Sequence, residues 1–478
     1  MNRPRPHRLA VLGAVVLATG AMSVPGAATA AAEVSAATCA AAYRTAGSWN
    51  GGFHGEVTVT NSGAATIDGW KVTMTLPAGA TVGSLWNGVH TGATGTVTVT
   101  DAGYNGTLGA GRSVTFGFVA TGSGTGTTVS CATGTTTPPD GVLDHAHTVG
   151  RVQEQGGGVR YTWPGTYFEG RFQGSGIGIV LDDAVNDYDV QIDGNAPVTL
   201  VKPGRTTHWI NGLANGEHTV RLAKRTESPW SAGQFGGFVA GPGGRLLGEP
   251  AARGRQIEFI GDSWTAGYGN MSAVRDCTGT GGVDRNTNAD RSFGALAARG
   301  LGADYQINAW SGMGMVRNYN GGNAGTNYRT YYDRTLQAVD TAVWQRPAWW
   351  KPQVVVIGLG INDFSTALNP GEPWADTGAL AADYRNAYQE FLAKLRDRYG
   401  PDTHLVLTYP DLNTALTTSI EQLVAERNAA GDDAVHSLNY GSALGLDLLG
   451  CDWHPSLRDH GILAGSVTSF VKGLPLNW

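Results

Sequence analysis

The chain has 478 residues, too many for one compact core, so two or three domains are expected. Its formal net charge of −6 supplies no basic footprint for nucleic acid. Charged residues are only 15% of the chain while glycine fills 71 positions, a balance that suits turn-rich strand domains rather than long surface helices. At the start, Arg3, Arg5 and Arg8 precede a short apolar run from Leu9 to Leu17, and Ala28-Thr29-Ala30 offers a cleavage site. Residues 1–32 therefore read as a secretory signal peptide. A membrane anchor is the rival, but the run is too short to span a bilayer, and no other stretch is long and apolar enough. The expected product is a secreted, extracellular protein with no membrane partner.

Export permits disulfides. Cys39, Cys131, Cys277 and Cys451 allow three pairings. Cys39–Cys131 and Cys277–Cys451 are favoured because each closes a loop within one domain. With no close Cys pair, a zinc site is not expected.

Residues 38–132 read as an all-β sandwich. Glu56-Val-Thr-Val-Thr60, Val72-Thr-Met-Thr-Leu76 and Val114-Thr-Phe-Gly-Phe118 alternate in the strand period, with glycine-rich turns between them. A linker, 133–141, contains Gly134-Thr-Thr-Thr-Pro-Pro-Asp-Gly141. A second strand-rich domain, 142–250, has strand candidates at Gly176–Leu181, Tyr188–Ile192 and His218–Leu222, and reads as a second β-sandwich. From 255 to 478 short apolar strands (Gln256–Ile260, Tyr305–Asn308, Val354–Ile357, Leu405–Leu407) alternate with amphipathic helices. The clearest helix spans Thr377 to Tyr399, where Leu380, Tyr384, Tyr388, Phe391, Leu392 and Leu395 recur at helical spacing before Gly400-Pro401. This rhythm predicts a parallel sheet covered on both faces, with chemistry at the carboxyl ends of its strands.

Those strand ends carry unusual residues: Gly261-Asp-Ser-Trp264 after the first, Ser311-Gly-Met-Gly314 after the second, and Gly358-Leu-Gly-Ile-Asn-Asp363 after the third. Gly450-Cys-Asp-Trp-His-Pro455 precedes the last helix. Each piece alone is an ordinary turn or cap; their order and shared placement carry the signal. In this order the segment from Gln256 to Trp478 resembles the SGNH, or GDSL-like, hydrolases. The resemblance implies an α/β/α three-layer domain with Ser263 as nucleophile and His454 as general base. It implies oxyanion donors at the Ser263 backbone N–H, the Gly312 backbone N–H and the Asn362 side chain. A serine hydroxyl needs an adjacent base, and an oxyanion needs fixed donors that a glycine lets the backbone supply at close range. Ser263 lacks a Gly-x-Ser-x-Gly elbow, which argues against an ordinary α/β-hydrolase.

The usual family pattern places an acid three residues before the histidine, where this chain has Cys451; Asp452 lies two before. Cys-Asp-Trp-His-Pro behind a β-sandwich resembles carbohydrate esterase family 2, which joins a small jelly-roll-like domain to an SGNH domain and deacetylates xylan and related glycans. This wider resemblance spans Val142 to Trp478. Two readings of the orienting group stand side by side: the Asp452 carboxylate, completing a triad, or a backbone carbonyl behind a Ser–His dyad. Trp453 is expected to line the substrate cleft rather than the core, and Asp262 to hold the Ser263 turn. No cofactor or metal is expected. His145 and His147 lack a third ligand, Trp344, Trp349 and Trp350 are read as packing, and Asn320–Gly325 is read as a loop near the site.

Residues 38–132 resemble a family-2 carbohydrate-binding module. Ser48-Trp-Asn50, Asp68-Gly-Trp70, Leu85-Trp-Asn87 and Tyr104-Asn-Gly106 match its landmarks. The resemblance implies a flat aromatic face of Trp49, Trp86 and Tyr104 over a core Trp70, directed at a cellulose or xylan surface. Together these features predict a secreted serine esterase acting on acetylated cell-wall polysaccharide. The rivals are a lipase or thioesterase on the same fold and a non-catalytic polysaccharide-binding protein.

Overall fold

A computed structural model describes residues 38–102, 105–133, 142–476 and 478. The expected signal peptide, Tyr104 and almost all of the expected linker lie outside the described residues. The first domain packs two four-stranded antiparallel sheets face to face. One runs Cys39–Trp49, Gly52–Asn61, Ser113–Thr121, Thr81–Trp86; the other runs Thr128–Thr133, Trp70–Thr75, Thr96–Thr100, Val89–Thr91. Their alternating inward residues, among them Val57, Val59, Val72, Met74, Phe116 and Trp70, form one core. Cys39 and Cys131 are joined at a Cα separation of 5.6 Å and tie the first strand to the last.

The middle domain bonds nine antiparallel strands into one continuous sheet around a core containing Phe168, Phe172, Ile177, Leu181 and Phe235. Two very long strands, Tyr167–Asp183 and Gly204–Lys224, run the length of the domain and pair across a bulge at Gly174/Gly176. The last domain has five parallel strands in the order Asp304–Ala309, Gln256–Gly261, Val354–Gly358, His404–Tyr409, Val435–Asn439. Successive residues of each strand feed opposite faces. Ile257, Phe259, Val354 and Val356 meet Phe293 and Leu463 on one side. Ile260, Val355, Ile357 and Leu407 meet Tyr384, Phe391 and Ile420 on the other. The predicted helix is found at Thr377–Tyr399, capped by the Asp376 carboxylate on the Ala379 N–H at 2.8 Å.

The middle and last domains share a core and a polar seam. Val149, Tyr167 and Ala223 of the former lie in the same apolar cluster as Phe259, Phe293 and Val406 of the latter. Asp304 accepts from the Tyr167 hydroxyl at 2.7 Å and from the Arg253 backbone N–H at 2.8 Å, and pairs with His147 at 3.0 Å. Arg151 reaches from the middle domain into the sheet domain with no exposed surface. It pairs with the equally buried Glu258 at 3.2 Å, bonds the Tyr332 carbonyl, and lies 4.6 Å from the ring centroids of both Tyr332 and Trp344. Asn308 Nδ2, at 2.6 Å, and the Tyr332 hydroxyl, at 3.1 Å, complete the shell around Glu258. Truncating one partner would leave the other charge buried and unpaired. Arg151→Ala is therefore expected to cost about 3–5 kcal/mol, read as a lower midpoint in urea unfolding, while a surface control such as Arg44→Ala changes it by less than about 1 kcal/mol.

Candidate active site

Ser263 begins a short helix, Ser263–Ala266, directly at the carboxyl end of strand Gln256–Gly261. Asp262 caps it, accepting the Trp264 N–H on Oδ1 at 3.1 Å. Burial pushes the Asp262 carboxyl up to about 7, with the Trp264 N–H pulling the other way. Facing it across the sheet, Asn362 donates from Nδ2 to the Met313 carbonyl at 2.9 Å and to Asp262 Oδ2 at 3.3 Å. Its neighbour Asp363 accepts three successive backbone N–H groups, from Met315, Val316 and Arg317, at 2.8–2.9 Å. Asn362 and Asp363 thus hold the loop that follows the second strand. In that loop Gly312 adopts φ +80°, a conformation that favours glycine. Neither the Gly312 nor the Ser263 backbone N–H has a hydrogen-bond partner among the described residues.

The structure brings Ser263 and His454, 191 positions apart, into contact: Oγ and Nε2 are 2.8 Å apart. The other ring nitrogen, Nδ1, faces two main-chain carbonyls, Cys451 O at 3.0 Å and Asp452 O at 3.1 Å. Carbonyls only accept, so Nδ1 carries the proton and Nε2 is left to accept the serine hydroxyl. Burial lowers the His454 pKa below its ordinary 6.5, and the two carbonyls work against that by favouring the charged ring.

Of Asp452, whose carboxylate is one of the two readings of the orienting group, only the backbone touches the imidazole. Its carboxylate Oδ2 instead accepts the Tyr268 hydroxyl at 2.9 Å. The cause is local: Asp452 and Trp453 both adopt left-handed backbone, φ 52° and 64°. That turn aims the carbonyls inward and leaves both side chains exposed. Cys451 is pinned from two directions, by its disulfide to Cys277 and by its N–H on the Gly269 carbonyl at 3.1 Å. Trp453 is 64% exposed, with the Arg275 guanidinium 3.4 Å from its ring centroid.

Three neighbours of the site carry no motif. The Tyr268 ring lies 4.3 Å from the His454 ring. Glu227 and Trp230 come from the middle domain, in the loop after strand Gly204–Lys224. Glu227 bonds Ser311, and Trp230, 71% exposed, sets its edge against Trp310. Nothing local in the sequence announces them, because each contact spans 80 positions or more.

In the first domain Trp49 and Trp86 are exposed and Trp70 is fully buried, its indole N–H donating to the Asn105 carbonyl at 2.9 Å. The exposed rings lie over Gly52 and Gly117 of adjacent strands, where any Cβ would collide with them.

Three family descriptions match successive stretches of the chain. Residues 39–137 match a cellulose binding domain, 148–250 a carbohydrate esterase 2 N-terminal domain, and 257–454 a GDSL-like lipase/acylhydrolase. An acetylxylan esterase / glucomannan deacetylase of Cellvibrio japonicus is 41% identical over 312 residues, 65% of this chain and 85% of that protein. A solved carbohydrate esterase whose active site displays divergent catalytic and non-catalytic binding functions superposes with a TM-score of 0.63 at 37% identity, covering 69% of this chain and 98% of that one. A family two carbohydrate esterase from Clostridium thermocellum in complex with cellohexaose gives a TM-score of 0.59 at 32% identity, over 68% and 98%. The chain belongs to carbohydrate esterase family 2: it is a carboxylic ester hydrolase preceded by a cellulose-binding domain.

Proposed function

We propose that this esterase removes acetyl groups from xylan, glucomannan or related cell-wall polysaccharide by a serine acyl-enzyme route. The observation that carries this reading is the 2.8 Å contact between Ser263 Oγ and a His454 ring whose other nitrogen is occupied by main-chain carbonyls. Ser263 attacks the ester carbonyl while His454 takes its proton. The oxyanion is received by the Ser263 and Gly312 N–H groups, which have no partner among the described residues, beside an Asn362 amide that donates to the Met313 carbonyl and Asp262. His454 then protonates the departing sugar oxygen, which leaves as a hydroxyl, and water activated by the same imidazole releases acetate. Asp452 serves through its carbonyl, so the machine is a dyad. The exposed rings of Trp453 and Trp230 suit stacking on the apolar faces of sugars. The 41% identity to an acetylxylan esterase / glucomannan deacetylase supports this substrate class over the acyl chains of a lipase.

We further assign the chain as a signal peptide (1–32), a binding module (38–132), a linker (133–141), a jelly-roll-like domain (142–250) and an SGNH domain (255–478). Two disulfides and a cellulose-binding domain fit an exported protein that meets its substrate outside the cell. Trp49 and Trp86, exposed and lying against glycines, are the module's contact with a cellulose or xylan surface, with Tyr104 as a third ring. The module tethers the esterase near its substrate and raises its effective concentration there.

Acetate release from acetylated xylan, acetylated glucomannan and p-nitrophenyl esters of increasing chain length tests the reading; preference for long acyl chains would refute it. Ser263→Ala and His454→Ala should each lower kcat by about 10⁴-fold or more, and Asp452→Ala by less than about tenfold. The base must be neutral to accept a proton, and burial depresses its pKa. The acid limb of kcat/KM should therefore fall below pH 6.5, the ordinary histidine value. Trp49→Ala and Trp86→Ala should each weaken adsorption to microcrystalline cellulose by about tenfold, leaving hydrolysis of p-nitrophenyl acetate intact.

A further inference from the structure

Glu227 belongs to the middle domain, yet its carboxylate is spent entirely on the sheet domain. Oε1 accepts the Ser311 backbone N–H at 2.8 Å, and Oε2 accepts the Ser311 hydroxyl. Burial raises its pKa above the ordinary carboxylate value, opposed by the two Ser311 bonds and by Lys224. A half-buried carboxylate that gives both oxygens to a single residue is a costly way to hold a turn by packing alone. The reason lies one residue further along the chain. The backbone N–H next after that of Ser311 belongs to Gly312, at φ +80° and without a partner among the described residues. Beyond Gly312 the loop is held by Asn362 on the Met313 carbonyl and by Asp363 on three N–H groups, and the Tyr319 N–H donates to the Gly312 carbonyl at 2.9 Å. Before Gly312, the side chain that holds the turn is Glu227. Pinning Ser311 at both its N–H and its hydroxyl restricts rotation of the peptide plane that carries the Gly312 N–H.

We propose that Glu227 is a positioning residue of the esterase reaction, lent by the middle domain, that holds Ser311 so that the Gly312 N–H stays aimed at the oxyanion. This rests on the assignment of Ser263 and Gly312 made above. It makes the middle domain part of the catalytic apparatus rather than a neighbour of it.

The test uses the full chain and p-nitrophenyl acetate. Glu227→Ala should lower kcat by about 10- to 100-fold while KM moves less than about twofold, the signature of a donor misaligned in the transition state. Glu227→Gln should restore most of kcat, since its carbonyl accepts the Ser311 N–H and its amide N–H₂ donates to the hydroxyl. Ser311→Ala, which removes one of the two bonds, should fall between. A second readout is phosphonylation of Ser263 by a p-nitrophenyl alkylphosphonate. In that step Ser263 Oγ bonds phosphorus, p-nitrophenolate leaves, and His454 takes the serine proton, placing a phosphoryl oxygen where the oxyanion sits. Its rate should fall in Glu227→Ala by the same factor as kcat. Wild-type kcat in folded Glu227→Ala, an unchanged phosphonylation rate, or a Gln variant as slow as the Ala variant overturns the proposal. If Glu227→Ala does not fold, wild-type kcat in Ser311→Ala overturns it instead. Ser263→Ala run in parallel separates the two levels. Activity surviving there removes the nucleophile assignment, whereas a dead Ser263→Ala beside a normal Glu227→Ala removes only the role of Glu227.

Discussion

The buried pair of Arg151 and Glu258 is the constraint on which the esterase half of the molecule depends. Neither charge has solvent to fall back on. Each is tolerable only because the other lies 3.2 Å away and because carbonyls, an amide, a phenol and two aromatic faces complete the shell. Arg151 comes from the β domain and Glu258 from a strand inside the parallel sheet, so the pair sets the register of one domain on the other. With that register set, His147 and Tyr167 reach Asp304, Arg221 forks onto Asp290 at 2.7–2.9 Å, and the loop after strand Gly204–Lys224 arrives beside Ser311. The site is built on a seam, and the seam is polar where specificity of fit matters and apolar where area matters.

On the sheet side, the parallel strands deliver Ser263, Gly312 and Asn362 to one edge, as open α/β sheets do. The support of the imidazole comes from the main chain. A carboxylate in the place of the two carbonyls would hold the ring by charge and raise its pKa. Carbonyl dipoles hold it by geometry, and burial then keeps the ring poised below its ordinary pKa. Orientation comes from the main chain, and the chain places no acid three residues before His454.

Much of this was legible in the sequence, for identifiable reasons. Four of the five parallel strands are short apolar runs with turn residues close by, and the helix Thr377–Tyr399 keeps its apolar period along its whole length. The fifth strand, Val435–Asn439, lies at the sheet edge and is only half-buried, so its Val-His-Ser-Leu-Asn carries no strong pattern. Ser263, Gly312, Asn362 and His454 are recognisable because each sits in a short motif at a strand end or helix start. The outward turn of the Asp452 carboxylate was not legible, since it arises from two consecutive non-glycine residues in left-handed backbone. Glu227 and Tyr268 meet their partners across 84 and 184 positions, where spacing carries no information. In the middle domain, strand alternation was readable, but its pairing into a single nine-stranded sheet depends on two strands far longer than any turn signal implies.

The bond between Cys277 and Cys451 has a consequence for the stiffness of the base's support. Cys451 supplies a carbonyl to the imidazole and, through its sulfur, is stapled to a segment 174 positions earlier. A covalent link and the hydrogen bond of the Cys451 N–H to the Gly269 carbonyl therefore hold the same residue that presents its own carbonyl to the ring. Closing a loop of that length removes freedom from the unfolded chain, so the support of the imidazole gains rigidity from a contact far outside its own motif.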